Sequence, residues 1–135
     1  MSLLRGKRVV LGASGGIAVY KAVDLTSKLV QAGALVDVVL TRAALEFVTP
    51  LSFQALTQRA VHSGVFEPWS EASRGHISLA EEADVFVVAP ATANAIAKLA
   101  HGLCDDMLTV THLSVVPRGI PFVLAPAMEP HMFQH

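Results

Sequence analysis

RVVLGASGGIAVYKAVDLTSKLVQAGALVDVVL, residues 8–40, holds two continuous apolar runs separated by a glycine-bearing turn and a stretch of helical periodicity. Arg8–Leu11 reads as a short buried strand. From Ile17 to Ala32, the apolar positions Ile17, Val19, Ala22, Val23, Leu25, Leu29 and Val30 suit a largely buried helix, with Gly33 as its stop. LVDVVL (35–40) is the second strand. Strand, helix and strand in so short a span form the repeating unit of a parallel sheet.

The rest of the chain continues the alternation. Thr49 followed by Pro50 marks a helix start in TPLSFQAL. A short strand is expected near Val61, then a loop through Pro68, Trp69 and Gly75. HISLAEEA (76–83) reads as one helical segment and DVFVVAP (84–90) as a buried strand. TANAIAKLAHG (92–102) and DDMLTVTHLSV (105–115) read as helices, the second capped by Asp105, and PFVLAP (121–126) as a last strand. Because the strands are unbroken apolar runs, the expected fold is a three-layer, doubly wound α/β domain with a parallel sheet between helices. Ligands of such sheets bind at the carboxyl ends of the strands, which here carry GASGGI (12–17), APATAN (89–94) and APAMEP (125–130).

Composition agrees with one domain. The 135 residues are 53% hydrophobic and only 16% charged, which points to a sheet covered on both faces or to burial in an oligomer. No apolar run reaches the roughly 18 residues that cross a bilayer, and MSLLRGKR is too short for a secretory signal. A formal net charge of −1 gives no electrostatic reason to expect nucleic acid. The single cysteine, Cys104, excludes an internal disulfide and fits a reducing cytoplasm; between Leu103 and two aspartates it reads as a packing residue.

The turn after the first strand is a candidate phosphate site. Its glycines, Gly12, Gly15 and Gly16, do not match the G-x-G-x-x-G dinucleotide fingerprint, and Ser14 stands where the second glycine belongs. The second strand ends in Thr41 and Arg42 rather than a ribose-binding carboxylate, Asp37 lies mid-strand, and no G-K-[ST] follows the turn. What remains is a serine and glycine turn opening a helix, whose N–H groups suit a phosphate monoester. A mononucleotide such as FMN fits better than NAD, with Thr41 supplying a hydroxyl. Taken alone, the turn is equally consistent with a tight connection that binds nothing. In the second stretch, Thr92 and Asn94 among Ala91, Ala93 and Ala95 offer polar contacts beside small residues, suited to a flat ring. On physics alone, an N-cap followed by packing alanines is a slightly better account of them.

GGIAVYKA (15–22), TRAALEFVTPLSF (41–53), HISLA (76–80), APATANAIAKLAHGLCDDML (89–108) and PAM followed by Met132 resemble the FMN-dependent cysteine decarboxylases, a Rossmann-like flavoprotein family. The match is collinear from about Arg8 onward. The family includes phosphopantothenoylcysteine decarboxylases of coenzyme A synthesis and lantibiotic peptide decarboxylases, so the resemblance implies oxidative decarboxylation of a small-molecule or peptidyl C-terminal cysteine. It also implies a homotrimer or a multiple of trimers; charge, apolar-run length and the lack of a third metal ligand separately give no reason to expect nucleic acid, membrane or metal. By motif, Ser14, Gly15, Gly16, Ile17 and Thr41 would meet the FMN phosphate. Phe47 would lie by the ring, and Thr92, Ala93, Asn94 and Ala95 along its polar side. His76 matches the active-site histidine that assists thiol deprotonation and oxidation. Flavin prenyltransferases share the fold and a GASG start, and a flavin-binding relative without turnover is a third reading.

Two departures from the family pattern stand out. Where the family reads P-A-M-N-x-x-M-W, this chain reads PAMEPHMF, so Glu129 replaces an asparagine that contacts the substrate carboxylate and Phe133 replaces tryptophan. An ionised glutamate only accepts hydrogen bonds, and beside a carboxylate at about 4 Å it would cost on the order of 4 kcal/mol at an effective dielectric of 20. The chain is also expected to lack the family's substrate-covering segment after residue 135, with its cysteine. Of the remaining residues, His131 and His135 have i, i+4 spacing without a third metal ligand and read as a frayed polar end. Trp69 reads as a loop or core residue, Arg74 as a solvated loop arginine, and Glu81 with Glu82 as a wet helix face.

Overall fold

The structure, a computed structural model, describes residues 2–64 and 75–135, with the backbone alone for residues 75–77. Five strands, β1 (Arg8–Ala13), β2 (Leu35–Leu40), β3 (Val61–His62), β4 (Val85–Ala91) and β5 (Phe122–Pro126), form one sheet in the order β3-β2-β1-β4-β5. Every pairing is parallel. The connecting helices are α1 (Val19–Gln31), α2 (Pro50–Thr57), α3 (Gly75–Glu82), α4 (Ala93–His101) and α5 (Met107–Val115), and α6 (Pro130–Gln134) follows β5.

Alternation along the strands sorts side chains into two cores. Val9, Leu11, Val36, Val38 and Leu40 pack with Val19, Ala22 and Phe53 on the α1–α2 side. Val10, Val39, Phe86 and Val88 pack with Leu79, Ala83, Met107, Leu108 and Val115 on the α3–α5 side. Strand residues two apart share a face, so each face of the sheet needs its own helical cover. Asp37 sits mid-strand as expected, 8% exposed, and its carboxylate is met by Arg59 Nε at 2.7 Å.

Four local expectations are corrected. Helix α1 begins at Val19 rather than Ile17, because residues 15–18 make the turn that carries the chain out of β1, and Ile17 there is 78% exposed. The cap of α5 is Asp106, whose extended backbone aims its carboxylate at Thr109 N (2.8 Å), while Asp105 pairs with Lys98 (3.1 Å). Cys104 is exposed in the α4–α5 loop instead of packed. The C-terminal end is not frayed: Glu129 caps a short helix there, with Pro130 at its first position. The strand near Val61, the helix start at Thr49–Pro50 and the bounds of β2 are as expected. Trp69 and Arg74 lie outside the described residues.

Candidate functional site

The sheet order reverses between β1 and β4: β1 leads through α1 to β2 on one side, while β4 leads to β5 on the other. The carboxyl ends of these two neighbours therefore open a crevice, the place where doubly wound folds bind ligands. Ser14, 2% exposed, ties the two ends together. Its N–H and its hydroxyl both donate to Pro90 O (3.1 and 2.7 Å), and its Oγ accepts from Thr92 N–H at 2.9 Å. A hydroxyl has a single proton, so Ser14 serves here as a clamp with no proton left over for a ligand.

Three helices start at the crevice, and their N-termini differ. Thr92 caps α4 by accepting from Ala95 N (3.2 Å), and Asp106 and Thr109 form a reciprocal capping box on α5. Helix α1 has Ala18 at its cap position and no side-chain cap. Among the described residues, no protein acceptor meets the N–H groups of Gly15, Gly16 or Ile17. An uncapped N-terminus carries the orphan donors and the positive end of the helix dipole, which favour an anion.

The two glycines of this turn have different reasons to be glycine. A Cβ on Gly15 would stand 2.5 Å from the carbonyl carbon of Ala43, so Gly15 lets the turn pack against the segment after β2. A Cβ on Gly16 would meet nothing nearer than Thr92 Cγ2 at 3.7 Å. It would instead occupy the space between the turn and α4. Thr41 Oγ1 accepts from Ala44 N at 3.1 Å, which leaves its own proton able to donate. These groups fit a phosphate monoester: unpartnered N–H donors, a hydroxyl proton, and a gap that a side chain would fill.

The crevice widens into a cleft of about 830 Å³. Ser14, Gly15, Gly16, Thr41, Thr92, Ala93, Asn94 and Ala95, all predicted from sequence, line it together. Ile17 and Phe47 do not: they are 78% and 51% exposed beside it. Glu129 is also outside the cleft walls. Its carboxylate accepts from Met132 N (2.7 Å), His131 N (3.1 Å) and His131 Nδ1 (3.0 Å). Hydrogen bonds from the His131 backbone and ring hold its carboxyl below the ordinary 4.5, so it is an ionised helix cap. His76 is in the first turn of α3, and its side chain lies outside the described residues.

Other walls were not foreseen. Arg42 and Glu46 enter from the segment after β2, Lys98 and Asp105 as an ion pair, and Met128 and Met132 from around α6. Arg42 carried a signal, since it adjoins Thr41 at the carboxyl end of a strand. Met128 lies in APAMEP, a strand end marked from sequence, but its place in the wall, like that of Met132, follows from the turn after β5. Among the described residues, no group of three or more His, Cys, Asp or Glu is placed to hold a metal, and no helix is long and apolar enough to cross a membrane.

Comparison with known proteins agrees with the fold and identifies a family. The Flavoprotein family matches residues 2–135. The chain is 51% identical over 133 residues to the coenzyme A biosynthesis bifunctional protein CoaBC of Bacillus subtilis, covering 98% of this chain and 32% of that protein. It is 41% identical over 129 residues to a probable phosphopantothenoylcysteine decarboxylase of Streptococcus mutans, covering 96% and 72%. The chain thus spans about a third of the length of its bifunctional relatives. Among solved structures, the FMN-dependent cysteine decarboxylase SpaF superposes with a TM-score of 0.86 at 30% identity, covering 98% of this chain and 74% of that one. A phosphopantothenoylcysteine decarboxylase variant in complex with pantothenoylaminoethenethiol gives 0.79 at 33% identity, covering 97% and 72%. The chain belongs to the flavoprotein family, as a domain homologous to the phosphopantothenoylcysteine decarboxylase domain of the bifunctional coenzyme A biosynthesis proteins.

Proposed function

We propose that these 135 residues form a single FMN-binding domain that decarboxylates the cysteine of phosphopantothenoylcysteine in coenzyme A synthesis, in the reducing cytoplasm. The observation that carries this reading is the uncapped N-terminus of α1, with its unpartnered N–H groups, facing Thr92–Ala95 across a cleft at the sheet's switch point.

In this reading, the N–H groups of Gly15, Gly16 and Ile17 and the Thr41 hydroxyl hold the phosphate. Thr92, Ala93, Asn94 and Ala95 border the ring's polar edge, and Phe47 borders the ring system. Bound there, FMN supplies the two-electron acceptor for the thiol-bearing carbon, which makes the adjacent carboxylate a leaving group as CO₂. His76 takes the thiol proton, a task suited to a group that titrates near neutrality. Glu129 contributes as the cap of α6, which sets Met128 and Met132 at the cleft.

The protein acts as a homotrimer or a multiple of trimers. Ile17, Tyr20, Phe47 and Leu51 are large apolar side chains 51–78% exposed on the turn, helices and loop at this end of the sheet. Covering them by a second copy removes apolar surface from water and closes the cleft with Ile17 and Phe47 as walls.

The test is anaerobic incubation of the FMN-loaded protein with phosphopantothenoylcysteine. Release of CO₂ that is lost on His76→Asn is the expected result. Consumption of dimethylallyl phosphate with modification of the flavin would instead assign the prenyltransferase reaction. A bound flavin with neither reaction would leave a binding protein.

A further inference from the structure

The described charges lining the cleft, Arg42 and Lys98 against Glu46, Asp105 and Asp106, differ in what holds them. Lys98, with its side chain 24% exposed, is neutralised by Asp105 at 3.1 Å. The Asp106 carboxylate is committed to capping α5. Elsewhere Arg59 is held by Asp37, Arg8 by Glu82 and Lys28 by Asp24. Arg42 lines the cleft beside Thr41, directly after β2, and among the described residues it makes no ion pair. Even Glu46, four residues further on and also at the cleft, does not engage it within ion-pair distance.

A phosphate monoester carries close to two negative charges at neutral pH. The backbone donors of the α1 turn supply only a fractional positive charge, and Thr41 supplies none. A guanidinium adds a full, permanent charge and a planar donor fork matched to phosphate oxygens. We infer that Arg42 is the counter-charge for the phosphate of the bound flavin, and so sets the preference of this cleft for the phosphorylated form over the nucleoside-like form. The inference rests on the flavin-binding reading above and extends it to the residue that discriminates between FMN and riboflavin.

Because riboflavin shares the ring and side chain but lacks the phosphate, the pair isolates the charge. Fluorescence-quenching titrations of the unloaded protein with each flavin would be compared for the wild type and Arg42→Ala. The substitution is expected to weaken FMN by about 10-fold or more, the scale of one charge-assisted hydrogen bond, and to leave riboflavin within about twofold. Raising ionic strength should weaken FMN binding more in the wild type than in the variant. Unchanged FMN affinity would overturn the inference. An equal loss for both flavins would also overturn it, since Arg42 would then act through the ring or the fold. Wild-type protein that binds riboflavin as tightly as FMN would remove the phosphate preference but keep the flavin site. Protein that binds neither would overturn both readings.

Discussion

Ser14 and Thr92, from the ends of two adjacent parallel strands, are joined by a hydrogen bond from Thr92 N–H to Ser14 Oγ at 2.9 Å. The same hydroxyl donates to Pro90 O at 2.7 Å, so one buried side chain fixes the spacing of the two loops that form the cleft. Ser14→Ala removes both bonds and leaves a backbone donor beside the cleft without its partner. The expected cost is roughly 1–3 kcal/mol, read by urea denaturation of the flavin-free protein. A Ser14→Ala protein with unchanged stability and weaker flavin binding would mean that the hydroxyl serves the ligand rather than the clamp.

The neighbouring glycines separate packing from ligand space. Gly15→Ala drives a methyl toward the Ala43 carbonyl carbon, 2.5 Å from an ideal Cβ, and should destabilise the flavin-free protein by roughly 1–3 kcal/mol. Gly16→Ala has room, with Thr92 Cγ2 nearest at 3.7 Å, and should leave stability within about 0.5 kcal/mol. It should nevertheless weaken FMN, because the methyl stands in the gap between the turn and α4. Paired denaturation and titration curves for the two variants check both statements.

Asp37 and Arg59 give a stability prediction away from the cleft. The carboxylate is mid-strand with a side chain 11% exposed, and the guanidinium meets it at 2.7 and 3.4 Å. Removing one partner of a fully buried pair costs about 3–5 kcal/mol. Because the Arg59 side chain keeps 32% exposure and solvent screens it, Arg59→Met should cost less, roughly 1–3 kcal/mol. Chemical denaturation measures it, and flavin affinity should not change.

His112 supplies a pH dependence. Its ring lies 5.0 Å from Phe122 and 6.3 Å from Phe86, and burial lowers its pKa from the ordinary 6.5. The folded protein therefore keeps this imidazole neutral where the unfolded chain protonates it. Below pH 6.5 the unfolded state binds more protons, so this contribution to stability falls as pH drops from 6.5 toward the lowered folded value and is level above 6.5. Denaturation midpoints for the wild type and His112→Phe, followed across this window, should converge on the wild type losing stability that the variant keeps.

Much of the layered fold was legible because the inner strands β1 and β2 are buried on both faces and read as unbroken apolar runs, and β4 and the largely exposed edge strand β5 are apolar runs too. LVDVVL is β2 residue for residue, and Thr49–Pro50 marks α2. The misreadings have local causes. Asp105 and Asp106 are chemically alike, and only the extended backbone at Asp106 decides which one caps α5. Ile17 continues an apolar period, yet the turn it occupies has left the core. About a third of the cleft lining lies in two loops, GASGG and PATANA, and could be named from them. Arg42 adjoins Thr41 and Met128 lies in APAMEP, so both had a local signal, whereas Lys98 and Met132 reach the cleft through the course of α4 and the turn after β5, which are tertiary facts.

Amide NMR of ¹⁵N-labelled protein titrated with FMN decides whether the uncapped start of α1 is the anion site of a flavin cleft. Saturable shifts of the Gly15, Gly16 and Ile17 amides are expected, the donors that no protein acceptor meets among the described residues. FMN binding that moves other amides and leaves these three unmoved would put the phosphate elsewhere.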